Sequence, residues 1–278
     1  MFDIDKERLK KSLFLMGYFW DKTKPNLQNV RQEDLPKLDI EHPLVKDATA
    51  GWQGFDANFD ALAFIAHLRG IIADGEPGPV TSFMLDVPRC PLPDFAPPPN
   101  ASFHYDDPAI QNAVESMQRA EAMGSGSWPS CDPERQDVNS FRVRLDPANM
   151  PSTVRGYYVQ ALASVVAAYA EMGCSLRYIL ASTGGCEIAK RFESLAGSVI
   201  GWNEFPSPGT CDQTIDGRLD TGYAPSDYRY WANLECHETG HGVGLSHTSG
   251  SIMNPSILLV WPLTWKGSPS ESSMRRYF

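Results

Sequence analysis

The chain has 278 residues and a net charge of -10, long enough for one large domain or two smaller ones, each with its own core. That charge argues against a phosphate-tracking nucleic-acid binder and against adhesion to anionic lipid, since both need clustered Lys and Arg. No stretch approaches the apolar length of a membrane span, and the opening DIDKERLKK run is unlike a Sec signal peptide, which leaves localisation open.

In chain order, Asp5 to Met16 has helical periodicity that stops at Gly17. Lys22 to Trp52 is polar and weakly periodic and reads as a long excursion. A second helix is predicted over Phe55 to Leu68 with Gly70 as its stop, and a third, short one from Pro79. Val87 to Asn100 reads VPRCPLPDFAPPPN; proline at nearly every second place predicts an extended connector, and the domain boundary is placed there. Beyond it, Phe141 to Leu145 alternates like a strand, Ser152 to Met172 is a long helix ending at Gly173, and Ser175 to Leu180 is a second strand. Ser198 to Trp202 follows as a further strand and Tyr228 to Gly242 as another long helix, with a polar loop rich in Gly, Asp and Thr between them. This order predicts an α+β fold. The six cysteines, Cys90, Cys131, Cys174, Cys186, Cys211 and Cys236, are too few and scattered for a small disulfide scaffold.

The chemistry concentrates on the last helix. His237-Glu238-Thr239-Gly240-His241 puts two imidazoles one turn apart on one face, with the Glu238 carboxylate beside them. Gly244 can take the left-handed conformation that ends a helix, turning His247 back toward the same point. Three neutral nitrogens leave one tetrahedral position open, the mark of a catalytic rather than a structural zinc, with Glu238 as general base. The five fixed positions of H-E-x-x-H-x-x-G-x-x-H arise by chance in a chain this long roughly once in a hundred thousand trials, so ordinary surface or core histidines explain them poorly.

Together with Ser251-Ile252-Met253-Asn254-Pro255, this pattern resembles that of the metzincin zinc peptidases, in which a methionine turn forms an apolar floor under the metal. Met253 is the matching residue. Thr248 stands where matrixins usually have Ser, and Pro255 where astacins and serralysins have Tyr, so the likeness is to matrixins. The resemblance implies a twisted, mostly parallel sheet with a backing helix and an active-site helix. Pro88-Arg89-Cys90-Pro91-Leu92-Pro93-Asp94 is similar to the matrixin cysteine switch P-R-C-G-x-P-D. It implies that Cys90 fills the open metal position and keeps the enzyme latent while Arg89 and Asp94 pair to hold the loop. Pro91 departs from the family's glycine. Phe59 to Leu85, with Asp74-Gly75-Glu76-Pro77-Gly78, resembles the peptidoglycan-binding-like helical domain of matrixin propeptides. The expectation is therefore residues 1–94 as a helical pro-domain and 95–278 as the catalytic domain of a zinc-dependent endopeptidase acting on protein or peptide substrate.

Two rivals remain at this level: a cell-wall endopeptidase that grips peptidoglycan with its N-terminal domain, and a non-catalytic structural or virion component whose zinc site Cys90 caps permanently. His42, His67 and His104 are isolated and receive no role, and the resemblance leaves no histidine downstream of His104 for a second, structural zinc. Asp212, Asp216 and Asp220 read as a loop that could bind calcium, although without EF-hand spacing a solvated acidic loop is the simpler reading. Cys236 should point away from the metal, and Ile257 to Leu263 would line a substrate pocket or the core. Oligomeric state is not legible.

Overall fold

A computed structural model describes residues 5–57, 75–78, 81, 82, 85–87, 89–122, 140–184, 187–206, 214–256 and 260–274. The expected helix over Phe55 to Leu68 and the one from Pro79 fall largely outside these residues, as do Cys131, Cys186 and Cys211. Among the described residues no helix is long and apolar enough to cross a membrane.

The first helix, α1 (Lys6–Leu15), is capped by the Asp5 side chain, which accepts from the Arg8 amide, and is stopped by Gly17 at φ 88°. The segment read as a polar excursion is instead structured: a 3-10 turn over Gln32–Lys37 precedes α2 (Pro43–Ala57). Two glycines inside α2, Gly51 and Gly54, dilute its periodicity. Gly51 packs against the Tyr18 ring, from which a Cβ would lie 3.4 Å, an ordinary contact distance. Leu9, Leu13, Phe14, Trp20, Val45 and Trp52 form one buried cluster around these two helices.

After the proline-rich connector comes α3 (Pro108–Ala122), which the sequence reading left without an assignment. Its signals are present: Pro108 at the first position, Asp107 accepting from the Ala109 amide at 2.8 Å, and Ile110, Ala113, Val114 and Met117 at helical spacing.

The remainder is α+β. Strands β1 (Ser140–Asp146), β2 (Ser175–Leu180), β3 (Ile188–Glu193), β4 (Gly201–Asn203) and β5 (Ile215–Asp220) form one sheet in the order β2-β1-β3-β5-β4. All neighbours are parallel except β4 with β5. Helix α4 (Arg155–Ala170) makes the β1-to-β2 crossover that a parallel pair requires. It packs against α5 (Tyr228–Gly242), with the Tyr158 ring 5.3 Å from Trp231 and 5.4 Å from Phe192 of β3. A short α6 (Glu271–Met274) closes the described chain and buries Met274 in the same core.

Two expectations are corrected here. The polar stretch before α5 contains β5, so Asp216 and Asp220 belong to a strand and not to a loop; Arg218 pairs with Asp216, and Asp220 accepts from the Leu195 amide at 3.0 Å. Gly217 sits mid-strand because a Cβ there would strike the Asn203 side chain of β4. The expected strand Ser198 to Trp202 is regular only over Gly201–Asn203, and Val199 instead bridges to Arg89.

Candidate metal centre

Helix α5 starts at Asp227, whose carboxylate accepts from the Arg229 amide at 2.9 Å, and is buried from Trp231 to its end. At that end Gly244 takes φ 98°, and the Leu245 amide donates back to the Gly240 carbonyl at 2.9 Å. This reversal returns the chain so that His247 faces His237 and His241. Cys90, His237, His241 and His247 are all buried, and their ligand atoms lie within 4.8 Å of one another. The His237 and His241 Nε2 atoms are 3.0 Å apart, and the Cys90 sulfur is 3.5 Å from His241 Nε2.

The hydrogen bonds fix what these nitrogens can do. His237 Nδ1 meets the Ile252 carbonyl at 2.9 Å and His241 Nδ1 meets the Leu245 carbonyl at 2.7 Å. A carbonyl only accepts, so each Nδ1 carries the proton and each Nε2 presents a lone pair. Burial, with neighbouring His247, holds the His237 pKa down to about 3, and burial drives His241 well below the ordinary histidine value. Neither ring takes a second proton near neutral pH, so two lone pairs face each other at 3.0 Å. His247 Nε2 is also buried without a hydrogen-bond partner among the described residues. Convergent lone pairs in a dry site are repulsive unless a cation gathers them, and the donor set fits a metal ion.

Cys90 reaches this point through backbone pairing. Arg89 bridges parallel to Val199 on one side and antiparallel to Ser256 on the other. The Arg89 amide donates to the Ser198 carbonyl at 3.1 Å and the Cys90 amide to the Pro255 carbonyl at 2.9 Å. The segment thus lies like an added strand between two flanking stretches of chain. Burial and nearby Glu238 push the Cys90 thiol well above its ordinary pKa. The side chains of Arg89 and Asp94 pair at 2.8 Å. Proline at position 91 is accommodated with Cys90 and Leu92 both fully buried.

No protein-family model and no curated protein sequence matches the chain.

Glu238 lies beside the imidazoles, with both carboxylate oxygens buried and without a hydrogen-bond partner among the described residues. Burial raises its pKa to about 8. Gly201 of β4 leaves room for it, since a Cβ there would come within 3.2 Å of Oε1. Met253 is fully buried under the helix, where a Cβ at Gly240 would collide with its sulfur. The turn that carries it is closed by the Thr248 amide donating to the Met253 carbonyl at 2.9 Å. Pro255 supplies the carbonyl that holds Cys90. Cys174 and Cys236 are free buried thiols outside the four-residue group. His42 caps the Leu44 amide, and His104 exchanges backbone contacts with Gln32, both away from the centre.

Three supporting features were missed by sequence reasoning. Lys190 of β3 donates to Glu235 of α5 at 2.7 Å and to Thr239 at 2.8 Å, while the Tyr158 and Tyr178 hydroxyls donate to Glu235 at 2.8 and 2.9 Å. Phe205 stacks against the His241 ring at 5.3 Å. Helix α3 roofs the site, with Ile110, Ala113, Val114 and Met117 in one apolar cluster with Cys90, Leu92, Trp202 and Phe205. Only α3 had a readable signal; the Lys190–Glu235 pair is 45 positions apart in sequence and leaves no local pattern.

Proposed function

We propose that this chain is the latent form of a zinc-dependent metalloendopeptidase of matrixin type. His237, His241 and His247 are the metal ligands, Cys90 is the fourth in the latent state, and Glu238 is the general base. The observation that carries the reading is the Cys90 sulfur, brought across 151 positions to within 3.5 Å of His241 Nε2. A tetrahedral zinc bound at its usual distances sets its nitrogens roughly 3.3 Å apart and its sulfur about 3.6 Å from each nitrogen. The two measured short separations fit; the widest spacing of 4.8 Å must close by roughly an ångström.

Zinc at this position supplies Lewis acidity, polarising a peptide carbonyl and acidifying water. The chain's own residues do the rest. The stretches at Ser198–Val199 and Pro255–Ser256 hold an extended peptide by backbone pairing, as they now hold Arg89 and Cys90. Once Cys90 has left, a Glu238 carboxylate oxygen takes the proton of the attacking water and passes it to the leaving amine nitrogen.

The test compares the intact chain with chain treated with a thiol reagent or carrying Cys90→Ser, using a mixed peptide substrate and metal analysis. The intact chain should be inert and the opened forms active. Glu238→Ala, introduced into the opened form, should abolish turnover yet retain about one zinc per chain, because Glu238 is not a ligand. Unchanged turnover in Glu238→Ala would sink the mechanism.

A further inference from the structure

The three histidines are not oriented alike. His237 and His241 direct their Nδ1 atoms to the Ile252 and Leu245 carbonyls, which belong to the same stretch of chain as the histidines themselves. His247 directs its Nδ1 to Asp94 Oδ1 at 2.9 Å, a carboxylate 153 positions away, with both side chains fully buried. Asp94 is itself over-determined. Its Oδ1 also accepts from Arg89 at 2.8 Å, its Oδ2 accepts from the Tyr18 hydroxyl at 2.5 Å, and its amide donates to the Met16 carbonyl at 2.8 Å. Its carboxyl group is thus enclosed by the Arg89 guanidinium, the His247 ring and the Tyr18 hydroxyl.

We infer that Asp94 is a positioning residue for the metal: it orients His247, fixes which ring nitrogen faces the centre, and raises that nitrogen's strength as a ligand. The inference rests on the metal-centre reading above and extends it. Docking of the Cys90 segment then strengthens the centre twice, through the sulfur of Cys90 and through the carboxylate of Asp94 behind His247. Because such coupling is reciprocal, an occupied centre holds the segment down more firmly than an empty one. A chain freed of this segment has to give His247 a different acceptor or hold its metal less tightly.

The experiment uses the full-length chain, stripped of metal and titrated with Co(II) in competition with a chelator, following sulfur-to-cobalt charge-transfer absorption. Wild type, Asp94→Ala, Asp94→Asn and Cys90→Ser are compared. Asp94→Ala should weaken Co(II) binding ~10- to 100-fold while keeping the sulfur band at saturating metal. Asp94→Asn, which keeps an acceptor oxygen but not the charge, should fall between it and wild type, and it carries the test if the alanine variant does not fold. Cys90→Ser should lose the band. Affinity in the Asp94 variants equal to wild type overturns the inference, and so does loss of the band together with affinity, which would mean that Asp94 acts only by fastening the loop. A wild-type chain that takes up no Co(II) overturns the metal-centre reading itself, a result distinct from either.

Discussion

Glu235 lies two positions before the first histidine, on the same helix, and its carboxylate gathers Tyr158 of α4, Tyr178 of β2 and Lys190 of β3. Both members of the Lys190–Glu235 pair are fully buried. Removing one partner strands the other as an uncompensated charge, so Lys190→Met should cost about 3–5 kcal/mol in urea unfolding. Lys190→Met with Glu235→Gln should recover more than half of that, because the glutamine oxygen accepts from one tyrosine hydroxyl, its NH2 donates to the other, and the stranded charge is gone. A single variant within about 1 kcal/mol of wild type, the usual surface-pair range, would show that the pair does not anchor the helix. At this scale the candidate ligands on the helix were legible because helical spacing is local: His237, His241 and Gly244 fall within eight positions. Asp94 behind His247 and Lys190 behind Glu235 were not, since contacts 153 and 45 positions apart leave no periodic trace.

Among the elements, α5 was legible to its end residues, because its cap, its apolar face and its stop at Gly244 all agree. β3 and β5 were not. Their buried positions include Lys190, Gly217 and Arg218, each accommodated by a partner from another element, so the alternation that marks a half-buried strand is broken. α3 matters most to the site because it covers Cys90 without belonging to the segment that carries it. Val114 is fully buried in that contact. Placing a charge there by Val114→Asp should lower the local opening energy by about 1.4–3 kcal/mol and speed labelling of Cys90 by a thiol reagent about 10- to 100-fold. A cut between Pro99 and Asn100, both exposed, leaves α3 in place and should by itself change that labelling far less. Equal effects of the two would mean that the connector, not the helix, shields the sulfur.

For the whole molecule, the described residues bury three clusters, one around α1 and α2, one on the sheet and α4–α5, and a small one between α3, Cys90, Trp202 and Phe205. The first is stitched to the chain that follows it: the Trp20 and Phe103 rings lie 5.6 Å apart, and the Tyr105 hydroxyl donates to the Leu15 carbonyl at 2.6 Å. Gly17 allows the closest approach, since at φ 88° a Cβ would sit 2.5 Å from the Phe95 carbonyl oxygen. The α+β class could be anticipated from the order of elements and a mostly parallel sheet from the resemblance, whereas this stitching could not, because it depends on contacts more than 80 positions apart.

The Cys90–His241 contact has one more consequence, which concerns the unfolded chain. A metal held by both residues ties together points 151 positions apart. It is then a cross-link, and closing a loop of that length removes on the order of 5 kcal/mol of conformational entropy from the unfolded ensemble if the tie survives unfolding. Chelation should therefore lower the melting temperature of the intact chain more than that of Cys90→Ser, in which the loop is never closed by the metal. Equal shifts would mean that the metal stabilises only the fold around the histidines. Releasing the cysteine would accordingly do more than uncover a reactive centre: it would cut a tether across 151 positions and turn a chain closed through the metal into an open one.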